Sequence, residues 1–195
     1  MSTPADITSL ESAFARNAHD ARALVDGCDE TTGTWRPAPG SWSIAECLDH
    51  LATSNRVYLA AMRPSAERAR ERGQLRRGPA VPGLLGGWFV RSLEPPARRG
   101  LRTPAPRTIQ PRSSPALADA AQQFFASHHE VERFLAGFAD LDLAGVGFPN
   151  PFLRGVRFSL ATGIHVLAAH ERRHLWQARN VESAFRRTGP AEAGL

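Results

Sequence analysis

His170-Glu171-Arg172-Arg173-His174 sets two imidazoles four residues apart. On a helix that spacing stands one side chain a turn above the other on the same face, so both rings can grip one metal ion from one side. A divalent transition metal takes at least three protein ligands. The third must come from elsewhere in the chain, and His50, in the helical-looking run Trp42-Ser43-Ile44-Ala45-Glu46-Cys47-Leu48-Asp49-His50, is the first choice.

The segments that must carry these residues read as helices. Ile7, Leu10, Phe14, Ala18, Ala21 and Leu24 or Val25 make one apolar stripe from about residue 5 to 25, ended by Gly27. The Gly- and Pro-bearing stretch 31–40 reads as a loop whose Trp35 covers the core edge. A capping box, Ser43 with Glu46, opens a second helix that reaches about Arg72, with Pro64 as a kink or break. Its stripe is Ile44, Leu48, Leu51, Asn55, Tyr58 and Met62, with His50 on the flank, where a histidine is ordinarily exposed or merely hydrogen-bonded. A third helix, 114–139, has Leu117, Ala121, Phe124, His128, Val131, Leu135 and Phe138 as a packing seam, in which His128 reads as a core histidine, with a fourth-ligand role as the alternative. The fourth, 160–185, is capped by Ser159 and carries Leu160, Ile164, Leu167, Glu171, Leu175 and Ala178. His165 lies about 140° from His170 and about 180° from His174 around that helix, so it cannot share their site. Glu171 is a carboxylate in an apolar stripe and must be paired, hydrogen-bonded or neutral; an arginine partner is the plain explanation and proton transfer the functional one. Residues 73–115 form a long irregular connection with a short helix at 84–93 that lays Trp88 and Phe89 on the body. The expected fold is an all-α four-helix bundle over one domain, 1–195.

Composition narrows the functional classes. The 195 residues suffice for a core without staples, and the two cysteines, Cys28 and Cys47, are too few for a disulfide framework or a Cys-based zinc site, with Cys47 filling core space. No apolar run approaches a membrane span and residues 1–6 do not resemble a secretion signal, so a cytoplasmic protein is expected. All 24 basic residues are arginine, a bias in keeping with a GC-rich bacterial genome. The net charge of +5 would suit an anionic partner, but the arginines are scattered without interleaved aromatics, which argues against nucleic acid.

His-Glu-x-x-His is also the zincin protease signature, in which the glutamate, here Glu171, is general base on the metal's water. Only about twenty residues follow the motif, leaving Glu182 or Glu192 as downstream ligand, and no strand-like segment precedes it to hold a peptide. The pairing of the Trp42–His50 helix with His170-Glu171-Arg172-Arg173-His174-Leu175-Trp176-Gln177 instead resembles the DinB-like superfamily, metal-binding four-helix bundles that include thiol-dependent S-transferases. Trp35-Arg36-Pro37 and Gly40-Ser41-Trp42-Ser43-Ile44 look like the lead-in to that family's second helix. The resemblance implies the ligand set His50, His170 and His174, with zinc or nickel as the metal. Three neutral imidazoles leave coordination positions open, as in a catalytic site, and a thiol bound there would lose its proton near neutral pH; a bound water would be activated by the same effect. The family's use of bacillithiol or mycothiol implies an S-transferase or thiol-dependent isomerase, with Arg56, Arg172, Arg173 and loop arginines as candidate cations for a carboxylate-bearing cosubstrate. The alternative is a non-catalytic, metal-stapled binding or stress-response module, for which His128 would close the site. A homodimer using the Trp88-Phe89 segment is expected.

Overall fold

The computed structural model describes residues 3–96 and 106–188. Four long helices carry the fold: α1 (Ala5–Asp26), α3 (Ile44–Glu71), α5 (Leu117–Phe138) and α6 (Leu160–Thr188). Both α1 and α3 pack on α5 and α6, so α1 and α3 stand on one diagonal of the bundle and α5 and α6 on the other. The all-helical architecture follows from the stripes: every residue of the expected α3 stripe, from Ile44 to Met62, is buried.

Helix ends are set by local chemistry. The capping box of α3 is complete, with Ser43 Oγ accepting from the Glu46 amide at 3.2 Å and the Glu46 carboxylate accepting from the Ser43 amide at 2.9 Å. Arg36 clamps that carboxylate through Nε at 2.9 Å. Ser159 Oγ accepts from the Thr162 amide at the start of α6, as its position suggests.

Four local features differ from the sequence reading. The 31–40 loop begins with a short helix, α2 (Glu30–Thr34), started by the Asp29 side chain accepting from the Thr32 amide at 2.8 Å. It docks on α5, where the Glu30 carboxylate accepts from the Leu117 amide and Leu117 fills the space beside Gly33 that a Cβ would need. Pro64 neither breaks nor ends α3, which continues to Glu71. An antiparallel pair, β1 (Gly147–Pro149) and β2 (Arg157–Ser159), leads into α6; three-residue strands are too short to show alternation in a sequence. The short helix in the long connection is present as α4 (Leu84–Leu93), but only part of it lies on the body: Phe89 and Leu93 pack on the core, while Leu84, Leu85 and Trp88 are 94%, 84% and 66% exposed.

The core is divided into two hydrophobic clusters. One gathers Ile7, Phe14, Tyr58, Val131 and Leu167; the other gathers Ala21, Leu48, Leu51, Phe124 and Leu175. Between them lies a buried, hydrogen-bonded polar group with members from all four long helices: Asn17, Asn55, Ser127, His128 and Glu171.

Candidate metal centre

His50, on the flank of the α3 stripe, faces α6 where His170 and His174 stand one turn apart. One ligand nitrogen from each ring lies within 4.8 Å of the others, a group that could hold a metal ion. His50 Nε2 is 3.2 Å from His170 Nε2, and the three ring centroids are 4.5–5.0 Å apart. Two ligands about 2.1 Å from one ion are separated by about 3.0 Å at a right angle and about 3.4 Å at the tetrahedral angle, so the 3.2 Å between His50 Nε2 and His170 Nε2 fits a shared ion. His50 and His174 are buried and His170 is partly exposed, which leaves one side of the group accessible.

Proton placement also fits. His50 Nδ1 lies within hydrogen-bond distance of the Ile109 carbonyl. A carbonyl only accepts, so Nδ1 carries the proton and the neutral ring turns a bare Nε2 toward His170. His174 Nδ1 is buried without a hydrogen-bond partner among the described residues, a placement that costs free energy unless some ligand uses it. Burial, reinforced by His50 and Arg173, pushes His170 down to about 3. Burial likewise holds His174 well below its ordinary value, with His170, His50 and Arg173 adding to the effect. His50 is lowered by burial too, although Ile109 and Asp49 oppose it. All three rings are therefore neutral near pH 7, the state in which imidazole binds metal. Trp42 walls the group, with its ring 4.8 Å from His50 and 5.6 Å from His174.

Glu171 occupies different surroundings. Its fully buried carboxylate accepts from Asn17 Nδ2 and Asn55 Nδ2, each at 3.0 Å, and meets His128 Nδ1 at 3.1 Å. The arginine partner expected from the sequence is replaced by His128. Burial alone would lower that histidine, but its bond to Glu171, the charge of Glu171 and the nearby Glu132 outweigh it, and the net shift is upward. When protonated, His128 supplies the cation that a buried carboxylate requires. His128 thus serves the core, not the histidine group.

The remaining candidates fall elsewhere. His165 bonds the Ala80 carbonyl and His129 is an exposed partner of Glu132. Glu182 pairs with Arg186, and Glu192 lies outside the described residues. Arg172 is clamped to Glu94, Arg173 reaches the Ser92 carbonyl, and Arg56 stands 3.7 Å from Glu130. Arg56 and Arg112 line a cavity of about 410 Å³ together with Asp49, Thr53, Gln110 and Gln123.

Sequence reasoning did not assign Trp42, Ile109 or Asn17 to these networks. Asn17 had a readable signal, since it sits three residues after Phe14 and four before Ala21 and so shares their face. Ile109 had none, because its contact with His50 spans 59 residues.

Comparison with known proteins adds one match. No curated protein and no solved structure matches the chain. The family model of the DinB superfamily matches residues 13–178, a span that includes all three histidines, and the chain belongs to the DinB superfamily.

Proposed function

We propose that His50, His170 and His174 hold a divalent ion, zinc or nickel, and that the protein is a cytoplasmic small-molecule enzyme, a thiol S-transferase or thiol-dependent isomerase. The observation that carries this reading is the convergence of three neutral imidazoles on one point, with no fourth histidine, cysteine or carboxylate joining them among the described residues. When bound, the ion would supply a Lewis acid that lowers the pKa of a thiol entering the open side. The residues of the chain do the rest: His50 and His174 are fixed by burial and by Trp42, and partly exposed His170 borders the approach. Arg56 and the cavity beside it offer polar and cationic contacts for the rest of a carboxylate-bearing thiol. Glu171, held by three core residues, acts on the site by orienting α6.

The test is turnover by metal-loaded protein with low-molecular-weight thiols and electrophilic acceptors, with metal-free protein and His50→Ala as controls. Thiol consumption that needs both the ion and His50 supports the reading. Metal binding with no turnover across the panel, and unfolding on chelation, would move the protein to the metal-stapled module. The exposed face of α4 is the proposed contact of a homodimer.

A further inference from the structure

Asp49 and His50 are consecutive on α3, and both hold the same piece of the long connection. His50 donates to the Ile109 carbonyl, while the Asp49 carboxylate accepts from the Arg112 amide at 2.8 Å and from Arg112 Nε at 2.7 Å, with Nη2 at 2.6 Å. Residues 109 to 112 are thereby tied to α3 at both ends. Asp49 and Ile109 are buried, whereas the Arg112 guanidinium reaches solvent. A carboxylate taken out of water must be hydrogen-bonded, and Arg112 satisfies both of its oxygens. The position of the Ile109 carbonyl is therefore set by a pair that is not itself among the three histidines.

That carbonyl decides which nitrogen of His50 is bare. An isolated imidazole favours the tautomer with its proton on Nε2, the form that cannot bind a metal through Nε2. The carbonyl reverses the choice, and partners of this kind fix ring orientation as well. We infer that the Asp49–Arg112 pair is the positioning device of the site, holding the 109–112 segment so that His50 presents an unprotonated Nε2. The long connection is then part of the metal centre. By reciprocity, metal on His50 strengthens the docking of the segment as much as the docking strengthens metal binding.

The inference rests on the proposed metal site for one of its two readouts; the other needs no metal. Long-range nitrogen–proton NMR on the full, metal-free chain reads the His50 tautomer, and competition with a chromophoric chelator reads zinc affinity. The variants are Arg112→Ala, Asp49→Asn and Arg112→Lys, with Arg56→Ala as a control that lines the same cavity without bonding Asp49. Wild type is expected with its proton on Nδ1. Arg112→Ala and Asp49→Asn are expected to shift the population toward Nε2–H and to weaken zinc binding about 10–100-fold, the range for losing an outer partner of a ligand. Arg112→Lys should recover part of both losses, and Arg56→Ala should change neither. An Nε2–H tautomer in wild type, or an unchanged tautomer in both Arg112→Ala and Asp49→Asn, overturns the inference. If wild type takes up no zinc while the variants still shift the tautomer, the metal reading fails and the positioning of His50 stands.

Discussion

Glu171 and His170 are neighbours in sequence with opposite environments, because one residue advances a helix by 100°. His170 borders the histidine group; Glu171 points into the layer formed with Asn17, Asn55 and His128. Removing the carboxylate takes one of two acceptors from each amide, leaving Asn17 with the Ala168 carbonyl and Asn55 with Ser127 Oγ, and takes the buried anion from His128, so Glu171→Ala should destabilise the protein by about 3–5 kcal/mol, measured by urea unfolding. An effect below about 1 kcal/mol would show that the layer is not a satisfied ionic network. The histidines make stability depend on pH in two directions. His50, His170 and His174 are lowered in the folded state, so below about pH 6.5 the unfolded chain takes up protons on them that the metal-free folded chain refuses. Stability must then fall as pH drops, by up to about 1.4 kcal/mol per pH unit for each ring, and for His170 the loss continues to its value of about 3. His128 is raised, so its contribution is complete below about pH 6.5 and fades as pH rises through its folded value. Urea unfolding of metal-free wild type and His170→Ala at pH 7.5 and pH 5 checks this, and the variant should lose less between the two.

The elements explain why these residues meet. The long helices were legible because their stripes repeat over many turns, and the capping box marked where α3 begins. The short elements were not: α2 has five residues with a glycine inside, and each strand has three. Pro64 read as a break because an interior proline usually costs a helix hydrogen bond, yet it falls where α3 has most of its length already packed against α5 and α6. Of the site, the i,i+4 pair was readable from spacing and His50 from the family resemblance, whereas the support from Ile109 and Trp42 arises only in three dimensions. Two element-level outcomes follow. Ser43→Ala should cost about 1 kcal/mol by removing the α3 cap. Gly163→Ala places a Cβ 2.4 Å from Met62 Sδ and 2.9 Å from the Phe148 ring, so overpacking of about 1–3 kcal/mol should outweigh the gain in helix propensity. A melting temperature equal to or above wild type in Gly163→Ala would contradict that tight crossing.

On the scale of the molecule, the apolar core lies in two clusters, one on either side of the polar layer, and neither includes the three histidines. No helix among the described residues is long and apolar enough to cross a membrane. Chelation should therefore leave a folded, cooperatively melting protein whose melting temperature drops only by what ligand linkage accounts for. The outward face of α4 is the main apolar surface left uncovered among the described residues, and Trp88→Asp should shift sedimentation toward the monomer if that face joins two copies. The central claim is narrower: three histidines from α3 and α6 bind one metal ion. It is tested most directly by metal content, measured by mass spectrometry on untagged protein for wild type, His50→Ala, His170→Ala and His174→Ala after zinc or nickel loading and desalting. The account predicts close to one ion per chain in wild type and loss in all three variants. Metal retained by His50→Ala, or none held by wild type, would contradict it.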